Sequence, residues 1–137
     1  MKDLVNITNL EVLDLSGNNI EKFVSSKDMQ SSSNISIISL AYGVCNGSNF
    51  ELQSLKAFKN LKSFHLEYNN FKGVLFPRDD LSKLEELFLD GSDMDERFLL
   101  SLGSLQSLKF LSLERIQYAQ YSKFSPFQKL ETFRFEL

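Results

Sequence analysis

Residues 9–20 read NLEVLDLSGNNI, and this stretch decides the fold. Its apolar residues Leu10, Leu13, Leu15 and Ile20 stand at the first, fourth, sixth and eleventh places of a frame that has Asn18 at the ninth. At the centre of the frame every second residue is apolar, so these side chains point to one face of a short strand and their neighbours point to the other. The frame predicts a strand with one buried side, followed by a turn.

The same frame returns along the whole chain. Its copies begin at residues 10, 35, 61, 84, 108 and 130, which are separated by 25, 26, 23, 24 and 22 residues. This frame, repeated with a period of roughly 20–29 residues, is typical of leucine-rich repeats. A single repeat cannot bury its apolar face alone, so the repeats must stack. We therefore predict an α/β solenoid: a leucine-rich-repeat array of about six repeats over residues 1–137, with a parallel β-sheet on the concave side and irregular or short helical convex returns.

The predicted strands occupy the same places in every copy. They are Val12–Leu15, Ile37–Leu40, Ser63–Leu66, Glu86–Leu89, Phe110–Leu113 and Thr132–Phe135. Apolar residues spaced three apart lead into several strands, which suits helical or 3₁₀ turns. The segment SDMD (92–95) resembles a capping box before the apolar run 98–105, so this return is the expected α-helix.

The ninth place of the frame predicts how the chain leaves each strand. Asn18 and Asn69 each supply an amide that can satisfy backbone groups at this turn. Gly43, Ser92 and Ile116 stand there in other copies. We expect those repeats to be less regular.

Composition and charge exclude several classes of protein. Lys and Arg number 15 against 18 Asp and Glu, a net charge of −3 without a basic cluster, so we expect no nucleic-acid binding. No apolar run has the length of a membrane span or of a signal peptide. Cys45 and His65 are the only cysteine and histidine, which excludes an internal disulfide, a cysteine-rich zinc site and a histidine-cluster metal site. We expect no metal and no cofactor, and the frame predicts Cys45 to be a buried thiol rather than a reactive one.

The segments NITNLEVLDLSGNNI (6–20) and FKNLKSFHLEYNNFKGVLFP (58–77) resemble plant-type extracellular leucine-rich repeats, as in receptor-like proteins and leucine-rich-repeat receptor kinases. GVLFP (73–77) matches the Gly-x-Ile-Pro signature of that subtype in part. The resemblance implies a fragment from the interior of an ectodomain, with both caps, the membrane helix and any kinase domain missing. Three glycosylation sequons, at Asn6, Asn34 and Asn46, favour the extracellular face of the plasma membrane or secretion.

A row of carboxylates occupies the seventh place of the frame. That place reads Ser16, Ala41, Glu67, Asp90, Glu114 and Glu136, and neighbouring strands lie about 4.8 Å apart. Paired carboxylates can act as acid and base, but they need an enclosed cleft that raises one pKa, and an open concave sheet supplies none. We therefore expect no catalytic residues, and the row is either an acidic docking strip or a solvated surface.

Outward aromatic residues mark the predicted binding site. Phe88 and Phe110 stand at outward strand positions, with Tyr68 and Arg115 at the eighth place, and interface centres favour aromatics and Arg. The alternative is that these rings only shield neighbouring backbone. The predicted ligand-binding residues on the concave face are His65, Glu67, Tyr68, Phe88, Asp90, Phe110, Glu114 and Arg115.

Three functions fit these features. The favoured one is a module of a plant cell-surface leucine-rich-repeat receptor that contributes to signal perception in defence or development. Its partners would be a peptide, protein or glycan ligand and a co-receptor. The alternatives are a secreted inhibitor of a cell-wall-degrading enzyme and an intracellular leucine-rich-repeat interaction domain.

Overall fold

The computed structural model describes residues 9–18, 20, 34–43, 55, 57–76, 81–116 and 130–136. The helices and strands in these ranges are β1 (Val12–Asp14), β2 (Ile37–Ser39), β3 (Ser63–His65), β4 (Glu86–Phe88), α1 (Glu96–Leu102), β5 (Phe110–Glu114) and β6 (Thr132–Glu136). All six predicted strands are confirmed, and each differs from its prediction by one residue at its C-terminal end.

The strands form one parallel sheet in chain order, β1-β2-β3-β4-β5-β6. Residues at the fourth place pair across every boundary and form one stacked apolar row: Leu13, Ile38, Phe64, Leu87, Leu111 and Phe133. The row is buried except for Phe133, which is 42% exposed on the last strand. The predicted parallel-strand solenoid is confirmed. We call the sheet face opposite the core, which carries the third and fifth places of each copy, the concave face.

The core lies between the sheet and the returning segments. Apolar residues at the first and sixth places of the inner copies are buried there, among them Leu61, Leu66, Leu84 and Leu89, while Leu10, Leu15 and Leu130 of the outer copies are partly buried. Each such side chain contributes about 1.5–3 kcal/mol relative to an exposed position. The buried area of each copy depends on its neighbours, which is why the strands keep one register.

The predicted helix is present as α1, but its cap differs from the prediction. Asp95, not Ser92, is the N-cap, because its Oδ1 accepts a hydrogen bond of 2.9 Å from the Phe98 N–H. Its Oδ2 accepts a second one of 2.8 Å from the Gly73 N–H. Burial acts to raise the pKa of Asp95, but these N–H donors outweigh it and hold the pKa below its ordinary value. Asp95 thereby joins α1 to the preceding repeat.

The turns after the strands correct a second prediction. Asn18 and Asn69 act as expected, since their amide groups donate to backbone carbonyls at the end of the strand. Ser92, expected to interrupt this pattern, continues it. Its hydroxyl donates to the Leu66 carbonyl at 3.0 Å and accepts from the Asn69 N–H at 3.1 Å. At this turn the Leu89 carbonyl accepts instead from the Ser92 N–H at 3.1 Å.

Several sequence predictions lie outside the described residues, namely those for Cys45, Asn6 and Asn46. Asn34, the remaining sequon, is exposed. In the ranges that the structure describes, no helix is long and apolar enough to cross a membrane.

Candidate functional site

The chain leaves each of the strands β1 to β5 through a left-handed residue at the eighth place. The φ values there are 70° at Gly17, 65° at Tyr42, 57° at Tyr68, 63° at Gly91 and 58° at Arg115. Glycine adopts this conformation freely, whereas another residue costs on the order of 1–2 kcal/mol. Two tyrosines and an arginine are thus held where glycine is the easier choice. Strain of this kind is concentrated at functional sites, which makes these side chains candidates for a binding role.

The two tyrosines stack on each other at the edge of the concave face, and we call Tyr42 and Tyr68 the tyrosine rim. Their ring centroids lie 5.0 Å apart with the planes 8° from parallel. Tyr42 is 64% and Tyr68 41% exposed. The Tyr68 ring covers Gly91, since a Cβ added to Gly91 would lie 2.5 Å from Tyr68 Cε1. Glycine at position 91 therefore makes room for the ring.

A pocket of about 430 Å³, here called the acidic pocket, lies beside the tyrosine rim. It is lined by Asp14, Ser16, Ser39, Ala41, Tyr42, Glu67, Tyr68, Asp90, Glu114 and Arg115. Four of these residues are carboxylates and one is a guanidinium, so the lining carries net negative charge. The structure thus brings five of the predicted site residues together here: Glu67, Tyr68, Asp90, Glu114 and Arg115.

Hydrogen bonds hold the carboxylates of the acidic pocket in place. Asp90 Oδ1 accepts from the Ser112 hydroxyl and from the Glu114 N–H, both at 2.7 Å. Asp14 Oδ1 accepts from the Ser16 N–H at 2.9 Å, and this hydrogen bond is the main reason that the pKa of Asp14 lies below its ordinary value. A backbone N–H therefore fixes each of these two carboxylates, that of Ser16 in the turn after β1 and that of Glu114 at the end of β5.

Glu67 is a half-buried acid of the pocket. Its Oε1 lies 3.2 Å from His65 Nδ1, and its side chain is 20% exposed. Its Oε2 is buried and has no hydrogen-bond partner among the residues that the structure describes. A buried carboxylate oxygen without a donor is costly. A donor from a binding partner would relieve this cost.

The remaining three predicted residues form a second feature, the aromatic stack of His65, Phe88 and Phe110. The rings of His65 and Phe88 are stacked with centroids 4.3 Å apart, and those of Phe88 and Phe110 are 5.0 Å apart. Arg134 Cζ lies 5.7 Å from the centroid of the Phe110 ring. The register pairs His65 with Phe88, and neighbouring strands and stacked rings have similar spacings. Phe110 instead pairs with Glu86 and meets Phe88 diagonally across the sheet.

The aromatic stack corrects one expectation. Phe88 and Phe110 were predicted to be exposed, but both are half-buried because each packs against its neighbours in the stack. Beneath the rings, Ser63 and Ser112 are only 5% and 2% exposed although they lie on the concave face. The rings therefore do shield the sheet, and they also present a continuous apolar surface.

Sequence reasoning missed Tyr42. Reading the eighth place through every copy would have found it, because that place gives Gly17, Tyr42, Tyr68, Gly91 and Arg115. The signal is an aromatic residue at the eighth place of two consecutive repeats. Within the described part of the chain, no group of three or more His, Cys, Asp or Glu is arranged to hold a metal ion.

Comparisons with known proteins agree with this architecture. The family model described as Leucine Rich Repeat matches residues 9–39, which contain β1 and β2. None of the curated proteins compared with the chain matches it significantly. Solenoids of this type are typically binding scaffolds rather than enzymes. Residues 9–39 thus carry a leucine-rich repeat, and the parallel-strand solenoid that continues to β6 is consistent with a leucine-rich-repeat protein.

Proposed function

We propose that this chain is a protein- or peptide-binding module whose binding surface combines the aromatic stack and the acidic pocket. The observation that carries the proposal is their continuity. His65 stacks on Phe88 in the aromatic stack and contacts Glu67 in the acidic pocket. The aromatic stack and the acidic pocket therefore form one surface. It offers apolar area beside fixed negative charge. Such a surface suits a ligand that has Lys or Arg near apolar side chains.

The surface is organised before a ligand arrives. Stacking holds the aromatic rings and backbone donors hold the carboxylates, so binding would cost little additional side-chain entropy. The six strands of the sheet span about 24 Å, which accommodates an extended peptide of roughly seven residues. This length is typical of a linear recognition segment rather than of a small molecule.

Peptides selected from a random displayed library test the surface. For a selected binder, Phe88→Ala or Phe110→Ala is expected to weaken affinity by about 1–2 kcal/mol, because aromatic anchors at an interface centre contribute that much or more. Each variant should also lose up to about 1.5 kcal/mol of stability with its ring contacts. Isothermal titration calorimetry and thermal melting measure the two effects separately.

Leu75→Ala is the matched control, because Leu75 is 63% exposed and lies in a returning segment outside the sheet. Its affinity should equal that of the wild type. Unchanged affinity in both phenylalanine variants, with lower melting temperatures, would show that the rings serve packing alone and that the binding surface lies elsewhere.

We further propose that the module belongs to the ectodomain of a plant cell-surface receptor, at the extracellular face of the plasma membrane. There it would contribute to signal perception in defence or development, with a peptide, protein or glycan ligand and a co-receptor. The support is the resemblance of segments 6–20 and 58–77 to plant extracellular repeats, together with the three sequons. Asn34 is exposed, as a glycosylation acceptor must be.

Glycosylation tests this localisation. When the gene is expressed in plant cells, endoglycosidase treatment should shift the mobility of the protein, and an Asn34→Gln variant should show a smaller shift. A protein without glycans on Asn6, Asn34 and Asn46 would instead favour an intracellular interaction domain. A membrane span encoded by the full-length gene would separate a receptor from a secreted inhibitor.

A further inference from the structure

The two tyrosine side chains at the eighth place lie against the following copy of the repeat. Tyr42 stacks on Tyr68 in the next copy, and Tyr68 in turn covers Gly91. The Tyr68 ring therefore occupies the space above the next turn. Arg115 closes the row by donating from Nη1 to the Tyr68 hydroxyl oxygen at 3.4 Å.

The row of planar groups begins with an open place. The first copy has Gly17 at this position, and a Cβ added there meets no heavy atom within 4 Å among the described residues. The spaces above Gly17 and Gly91 thus differ, although both glycines have nearly the same φ. Tyr42 is 64% exposed and lines the acidic pocket together with Ser16, the residue before Gly17, so its uncovered ring surface and the open place adjoin the same pocket.

Charge complementarity identifies what would fit there. The acidic pocket extends to this end of the row through Asp14 and Ser16, and four of its lining residues are carboxylates against one arginine. Asp14 uses Oδ1 to accept from the Ser16 N–H. A carboxylate offers about four acceptor sites, so it can bind another donor.

Arginine side chains already contact aromatic residues on this side of the sheet. Arg134 lies over Phe110, and Arg115 contacts Tyr68. A guanidinium is planar and stacks on an aromatic face while its edge pairs with a carboxylate, which a lysine ammonium cannot do in the same geometry. A partner's arginine would extend the stacking that Tyr42 and Tyr68 begin.

We propose that the open place above Gly17 is a subsite for an arginine side chain of a partner peptide, whose guanidinium stacks on Tyr42 and pairs with Asp14. The subsite rests on the proposed function, because it is the end of the same acidic pocket. It assigns a specific ligand group to the tyrosine rim. A binding role would also account for the strained, left-handed backbone of Tyr42.

Arginine recognition can be tested with N-acetylarginine methylamide and its neutral isostere N-acetylcitrulline methylamide. Added to the full chain, the arginine compound should shift the NMR signals of the Tyr42 ring in a saturable way, with a Kd of about 1–20 mM expected for so small a ligand. Added salt should weaken the binding. The citrulline compound should bind at least several-fold more weakly, because it lacks the charge.

Two variants place the compound in the subsite. Gly17→Tyr fills the open place with a residue that two other copies already carry at the same φ, and it should weaken binding about 2- to 30-fold. Asp14→Asn should weaken it similarly, and it keeps an oxygen for the Ser16 N–H, so folding is preserved. Leu75→Tyr adds the same ring at an exposed position outside the pocket and should change nothing.

Equal binding of the arginine and citrulline compounds, or wild-type binding by both Gly17→Tyr and Asp14→Asn, would overturn the subsite. The proposed function is tested separately, by the affinities of the Phe88→Ala and Phe110→Ala variants. Selected peptides that depend on Phe88 and Phe110 but are indifferent to Gly17 and Asp14 would keep the binding module and remove the arginine subsite.

Discussion

Replacing Phe98 by alanine is expected to lower the free energy of unfolding by about 3–5 kcal/mol, the range for truncating a buried aromatic side chain. Phe98 is fully buried in α1, stacks on Phe71 with centroids 4.6 Å apart, and meets Phe76 edge-on at 6.0 Å. These three rings join two neighbouring repeats on the side of the core away from the sheet. Their loss would leave a cavity that the adjacent backbone, tied to parallel strands, cannot close.

Urea denaturation followed by circular dichroism measures this loss. Leu100→Ala is the control, because Leu100 lies in the same helix but is 55% exposed, and it should change stability by less than about 0.5 kcal/mol. Phe98→Leu should fall between the two. Equal stability of Phe98→Ala and Leu100→Ala would show that α1 contributes no shared core, and would contradict the packing described above.

The fold could be predicted from the sequence because its determinants are local and repeated. Every second residue is apolar at the centre of each copy, and the six copies recur at similar distances. Burial of one strand face then leaves a single register in which Leu13, Ile38 and Phe64 align. A shift of one residue would expose that whole apolar row, so the pattern alone determines strand positions and pairing.

The cap of α1 could not be predicted in the same way. Ser92 and Asp95 are both good N-cap residues, and the sequence does not show which one has another role. The structure answers this, because Ser92 is needed at the turn after β4, where its hydroxyl serves Leu66 and Asn69. Asp95 directly precedes the first residue of α1 and caps it. The groups that engage the Ser92 hydroxyl belong to the preceding repeat, so the local sequence around α1 does not reveal them.

The candidate site was predictable in composition and less so in shape. The frame placed the acidic and aromatic residues on the concave side, and the structure brings them together. Tyr42 escaped because the predicted site was centred on β3, β4 and β5, where outward aromatics and charges coincide, whereas Tyr42 follows β2. The half-burial of Phe88 and Phe110 also depends on distances between strands, since a ring that looks exposed on its own strand packs against the next.

A second large effect is expected at the turn that follows β3. Asn69 is 4% exposed, and its amide nitrogen lies 2.8 Å from the Leu40 carbonyl oxygen, 2.9 Å from that of Leu66 and 3.2 Å from that of Glu67. Asn69→Ala removes these donors. The carbonyls of Leu66 and Glu67 keep the Ser92 hydroxyl and the Tyr42 N–H, whereas the buried Leu40 carbonyl loses its donor. An unsatisfied buried group costs about 1–3 kcal/mol and each other lost hydrogen bond about 0.5–1.5 kcal/mol, so the variant should lose roughly 2–5 kcal/mol of stability in all.

Asn18→Ala makes the same chemical change at the same place of the frame in an exposed setting. Its amide donates to the carbonyls of Leu15 and Ser16 at 3.0 and 3.1 Å, but both hydrogen bonds lie at the surface. Water can replace the amide there, so the loss should stay below about 1 kcal/mol. Urea melts of both variants give the comparison directly. Similar losses at the two positions would mean that the amide stabilises the turn locally, and that the link from Asn69 to the preceding repeat through Leu40 contributes little.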